Sequence, residues 1–595
     1  MANRTEVLAQ YKWNIEAMYP DESDWDKDSE LALKRTVEFE EISGHLNNGP
    51  EMLLNALKLS DLIWQTTEKV YVYARMKKDE DNNNSKYQAM NDKAQTLIAK
   101  VSASMSWFTP ELLSLDPDVI DGYLKEEPAL HQYDYLLKVM ARKRAHVLSK
   151  EEENLLAQFS EVLGATSDVF TMINDADMKF EDVVDKNGNH LPLSHGTYIK
   201  YMEDSDRNLR IQAYEHMYDQ YIAQKNTLAT TYSYNAKVDA LSARVRKYDS
   251  ALAQALAADN VPADVYDSLI ASVNDNLDSL YKYMDTRKKS LGVDELKMYD
   301  IYVPLVELED DAEVSFDDAV AMMLDALSVL GEDYIANVSK GVQSGWIDRF
   351  ENDGKSSGAY SFGSYDSMPY ILMNYSGKLK DVFTLVHEMG HSMHSHYTRS
   401  TQPFVYGSHS IFTAEVASTV NECLLIHYLL EKYKDDAVMK KYLINLHIEE
   451  FRATLFRQTM FAEFEKRTHE AVETGEVLTS EWLCAEYKKL NEKYFGPLVE
   501  SDERISHEWS RIPHFYRAFY VYKYATGYSA ATAIAHKILN EGQPAVDAYL
   551  EFLKSGDSDD PIELLKLAGV DMSGKEPVDN ALKVFADLVD EFAAL

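Results

Sequence analysis

With 595 residues, 45% of them hydrophobic, the chain can build large cores and more than one domain, which excludes a disordered protein. Its 99 acidic against 60 basic residues give a formal net charge of -39, which argues against a nucleic-acid partner. Two cysteines, Cys423 and Cys484, exclude a disulfide framework, and no apolar run approaches a membrane span, so a cytoplasmic protein is expected.

The first residues, Met1-Ala2-Asn3-Arg4, lack the apolar core of a signal peptide. Apolar residues then recur at helical spacing over 31–45 and 50–75, and the style returns over 85–106 and 151–163 without a fixed repeat. Near Met178 the pattern shortens to alternating runs, 178–184 and 189–193. Between them, Asp185-Lys186-Asn187-Gly188 predicts a hairpin turn. Helices resume from Thr197. A boundary is therefore expected near residue 190, with a helical N-terminal domain over 1–190 and a second domain over 191–595. From 294 to 369 loops and short strands multiply, punctuated by Gly354, Gly358 and Gly363. The stretch 369–375 reads as a strand. As a sheet edge it would pair with an extended peptide, whereas an interior strand fits the same letters. The fold class that emerges is mainly α with a small β-sheet.

The segment that follows carries the chemistry. His387-Glu388-Met389-Gly390-His391 is an HExxH run, and from 378 to 398 no proline interrupts it. Histidines four apart on a helix differ by about 40° around its axis, so both rings reach one side. Val382, Leu385, Met389 and Met393 form the opposite, apolar face. This is the arrangement of a zinc hydrolase, with Glu388 placed to touch a water on the metal and not the metal itself. A third ligand is needed. His394 lies one turn on, but three ligands on one straight helix strain a tetrahedron. Glu415 belongs to a second helical stretch, 411–432, after a loop with Gln402-Pro403 and Gly407. Gly390, lacking a Cβ, would let that helix come close. The reading favours Glu415 as ligand, with Glu422 or His394 behind the metal ligands.

The run from His387 to His394, followed by Ala414-Glu415-Val416-Ala417-Ser418 and Asn421-Glu422, resembles the M3 zinc oligopeptidases, and within them the oligoendopeptidase F group. Tyr11-Lys12-Trp13-Asn14, Ser357-Gly358-Ala359-Tyr360-Ser361 and Ile512-Pro513-His514-Phe515-Tyr516 are similar to the same group, so the likeness spans nearly the whole chain. The resemblance implies a multi-helical ellipsoid with a zincin-type core and a deep substrate channel. It implies one zinc ion per chain, Glu415 as third ligand, and hydrolysis of internal bonds in short unfolded oligopeptides. No obligatory protein partner is inferred. A His–Tyr pair that binds substrate and oxyanion is implied near the aromatic run 514–527. His514 and Tyr520 are favoured there, with Tyr516 and His507 behind them; a phenol donates a hydrogen bond while staying neutral near pH 7. Two rivals are a zinc exopeptidase of the dipeptidyl carboxypeptidase type, anchored by Arg511 or Arg517, and a non-catalytic helical peptide-binding protein.

Overall fold

Helices begin where the sequence supplies a cap. In the computed structural model, which describes residues 2–308 and 313–595, Asp21 accepts the Ser23 N–H and opens Glu22–Glu40. Asn84 does the same for Ser85–Met105, and Ser149 with Glu152 closes a capping box at Lys150–Leu163. Pro50 starts Pro50–Glu80, where its missing N–H costs nothing. The helix at Glu22 begins nine residues before the expected start at 31, because its first turns are nearly all polar and only Trp25 is buried. Among the described residues no helix is long and apolar enough to cross a membrane.

Strands are few and short: β1 (Val183–Val184), β2 (His190–Leu191), β3 (Leu296–Lys297), β4 (Ile347–Asp348), β5 (Tyr360–Phe362), β6 (Tyr370–Leu372) and β7 (Val499–Glu500). β1 and β2 form the expected hairpin, with Val183 opposite Leu191. Asp185 accepts the backbone N–H groups of Asn187 and Asn189 across its turn, and Gly188 takes φ +81°. β3 pairs with β7 in parallel. The third sheet has the order β4-β6-β5, with β6 parallel to β4 and antiparallel to β5. The run 369–375 is thus the central strand and not an edge; Tyr370, Ile371 and Leu372 are fully buried. A continuous apolar stretch is what a strand covered on both faces requires.

Two compact units emerge, and each is assembled from sequence-distant pieces. One comprises residues 1–147, 311–428 and 534–569; the other comprises 148–310, 429–533 and 570–595. Residue 190 falls inside the second unit. A change of local pattern marks a change of element, and it carries no record of which distant segment the chain will pack against. In the first unit Trp25, Phe39, Val70 and Leu97 join the first three long helices, and Tyr370 and Leu372 of β6 belong to the same core. Each such side chain contributes roughly 1.5–3 kcal/mol when removed from water. In the second unit, helix Lys225–Val245 packs on Arg457–Glu473. Tyr232, Phe464 and Phe515 form an aromatic cluster there, and Tyr266 donates to the Ala462 carbonyl at 2.7 Å.

Candidate metal centre and the aromatic segment

The HExxH helix spans Leu379–Thr401. Asp381 accepts the N–H groups of Ser376 and Lys378 at 2.8 and 3.1 Å and so fixes its first turn. Val382, Leu385, Met389 and Met393, the apolar face the spacing predicts, are fully buried, and Val386 beside them is buried too. The second helix is Ile411–Lys432. The two meet at Gly390, where an added Cβ would lie 2.5 Å from Ser418 Cα and 2.7 Å from the Ala417 carbonyl oxygen. Only glycine permits that approach. Asn421 stitches the contact, donating to the Val386 carbonyl at 3.3 Å and accepting from Tyr334 at 3.2 Å.

This close approach brings Glu415 onto the histidines. Glu415 Oε2 lies 3.4 Å from His387 Nε2 and 3.5 Å from His391 Nε2. The two rings are 4.9 Å apart and nearly perpendicular. His387, His391 and Glu415 form a group able to hold a metal ion, with ligand atoms within 4.8 Å of one another. Neighbouring ligand atoms around a tetrahedral ion with bonds of about 2.0–2.1 Å are about 3.3–3.4 Å apart, so the two distances to Glu415 fit such an ion. The imidazoles and carboxylates also act on one another's charge. Burial alone would raise the Glu415 carboxyl, yet His387 and His391 hold it well below the usual carboxylate range. Burial would likewise keep His387 neutral, but Glu415 and Glu422 turn the balance towards positive charge.

Around these three groups the neighbours are polar and specific. Glu422 Oε1 sits 3.3 Å from His387 Nδ1, within ion-pair reach but misaligned for a hydrogen bond. Glu388 is 7% exposed and its carboxyl is raised by burial, with the nearby histidines and the Ser361 backbone N–H opposing. Ser361 belongs to the edge strand β5, and its hydroxyl meets that of Ser392 on the HExxH helix at 2.8 Å. His394 turns to other company: it is buried, its ring 3.6 Å from that of His409 and 5.2 Å from Phe552. Burial depresses both imidazoles, His409 to about 3, and His409 bonds the Thr398 hydroxyl. His409 did not stand out from the letters, and Ser361 did so only within the Ser357–Ser361 run, because each owes its place to packing and not to spacing.

The aromatic segment lies in the second unit. A short turn of 3-10 helix, Pro513–Tyr516, gives way to a loop, and helix resumes at Tyr522–Glu541. The structure brings His514 and Tyr520 together, rings parallel within 16° and 5.9 Å apart, with Tyr524 edge-on to both. Burial, aided by Arg517, lowers His514 below the ordinary imidazole range. Tyr516 turns instead to Phe170, with which it stacks at 4.5 Å. His507 is buried, with Nδ1 near the Glu503 carbonyl and the Ser506 hydroxyl.

Comparison with known proteins follows the same lines. Residues 200–584 match the profile of "Peptidase family M3", and residues 111–180 match that of "Oligopeptidase F". The oligopeptidase PepF of Bacillus subtilis is 43% identical over all of this chain and 88% of its own length. The group B oligopeptidase PepB of Streptococcus agalactiae is 41% identical, over all of this chain and 98% of its own. The crystal structure of oligoendopeptidase-F from Enterococcus faecium superposes with a TM-score of 0.75 at 39% identity, covering 96% of this chain and 98% of that one.

Proposed function

From a chain that belongs to peptidase family M3, a metalloendopeptidase of the oligoendopeptidase F group, we propose a zinc enzyme that hydrolyses internal bonds of short, unfolded oligopeptides. The observation that carries the metal assignment is the convergence of His387 Nε2 and His391 Nε2 on Glu415 Oε2 at tetrahedral-edge distances. Two imidazoles and one carboxylate are the donor set that catalytic zinc takes while keeping a position open. Zinc held there would polarise the scissile carbonyl and make a water acidic enough to attack near neutral pH.

The protein's own groups perform the rest. Glu388, between the two histidines in sequence and largely buried, takes the water's proton and passes it to the departing amine. The Ser361 N–H steadies that carboxylate. Glu422, against His387 Nδ1, fixes the orientation of that ring. His514 and Tyr520 serve as neutral donors to substrate and to the oxygen that becomes negative as the carbonyl is attacked. Their parallel packing supports treating them as a pair. A cytoplasmic setting belongs to the same proposal, supported by only two cysteines in 595 residues.

An internally quenched peptide, blocked at both ends, tests the reading. Internal cuts identified by mass, lost with a chelator and restored by zinc, are the expected result. Trimming of free peptides with no cutting of blocked ones would overturn it in favour of an exopeptidase.

A further inference from the structure

Helix Arg457–Glu473 carries a carboxylic acid where packing would accept a hydrocarbon. Glu465 is fully buried and forms no ion pair among the described residues. One of its oxygens accepts the backbone N–H of Phe519 at 3.0 Å, while the other has no hydrogen-bond partner. Phe519 is itself unusual. Its φ is +54°, a left-handed conformation that costs a residue with a Cβ roughly 1–2 kcal/mol. The other two non-glycine residues of this kind among those described are Lys247 and Asn260, so Phe519 alone also has a ring to bury. That ring lies 4.6 Å from His469 and 5.8 Å from Tyr266. The backbone is thus held in an unfavourable turn while the ring is buried, and the residue that follows the turn is Tyr520.

We propose that Glu465 is a positioning residue for the peptidase reaction: by holding the Phe519 N–H in its left-handed turn, it fixes where Tyr520 stands beside His514. The inference rests on the role assigned above to Tyr520 and His514. A rotation at Phe519 swings the Cα–Cβ direction of Tyr520, whose own N–H bonds the Arg517 carbonyl at 3.2 Å, and so shifts the phenol against the imidazole. Glu465 accepts the Phe519 N–H and pairs with no cation among the described residues, so its part here is that of an acceptor, and burial pushes its carboxyl towards the neutral form. Glutamine can accept in the same way; leucine cannot.

Kinetics on the blocked peptide decide the matter, using Glu465→Gln, Glu465→Leu, Tyr520→Phe and the Glu465→Leu/Tyr520→Phe double variant, with metal content measured in each. Displacing a catalytic donor by about 1 Å costs up to about 100-fold. Glu465→Leu should therefore lose about tenfold or more in kcat, with KM within about twofold and metal stoichiometric, whereas Glu465→Gln stays within about threefold of wild type. In the Tyr520→Phe background the leucine should cost little more. Equal losses in both backgrounds would overturn the inference and leave the role of Tyr520 intact. Wild-type kcat for Tyr520→Phe would remove the premise itself, whatever the Glu465 variants do. Should Glu465→Leu fail to fold, Phe519→Gly asks the same question: lost kcat that depends on Tyr520 supports the clamp, and unchanged kcat overturns it.

Discussion

The histidine–carboxylate cluster and the His514–Tyr520 segment are built by opposite means. In the cluster, regular helices do everything: His387 and His391 share a face because of helical periodicity, and Glu415 arrives because Gly390 leaves room. No residue there departs from ordinary backbone geometry. In the aromatic segment helix gives way to loop, one residue is held at positive φ, and the turn is secured by a carboxyl 54 residues earlier in the chain. A cation needs several ligands at fixed separations, which rigid helices supply. A pair of donors, as proposed for His514 and Tyr520, would need an aim that no regular element provides, and the left-handed turn at Phe519 would supply it.

That contrast can be broken at either end. Glu388→Gln should reduce kcat most, by roughly 10²–10⁴-fold, while metal analysis still finds one ion per chain; near-normal turnover would remove Glu388 from the mechanism. Tyr520→Phe, which deletes one donor and nothing else, should lower kcat by about 10²–10³-fold with KM little changed. An effect confined to KM would mean that Tyr520 binds substrate without favouring the transition state. Glu422→Gln should weaken metal affinity by roughly 10–100-fold, read by competition with a chromophoric chelator; unchanged affinity would make the contact with His387 incidental. Gly390→Ala should lower stability by about 1–3 kcal/mol, because its methyl meets backbone that cannot step aside. Denaturant titration measures this, and a neutral result would show that the two helices separate easily.

Legibility in the sequence follows the same division. Helices, the Asn-Gly hairpin, the HExxH face and the approach at Gly390 are all written in spacings of a few residues, and each is present, although the first long helix spans Glu22–Glu40 where the spacing predicts 31–45. The convergence of Glu415 was readable because its helix follows the first after a short loop. The interior place of β6 was not, since one strand's letters do not name its partners across the sheet. Glu465 was invisible for a stronger reason. Among 99 acidic residues nothing local sets it apart, and its meaning depends wholly on the conformation of Phe519.

The interleaving of the two compact units bears on how the protein comes into being. Synthesis proceeds from the N-terminus, yet one unit draws on residues up to 569 and the other up to 595. Asp560, which grips Arg142 at 2.6 Å, is joined to the chain more than 400 residues after its partner. Helix Gln543–Ser555, packed on the HExxH helix, is equally late. Neither unit can complete its packing before its last segment, 534–569 or 570–595, has been made, although the first three long helices already pack on one another within residues 22–105.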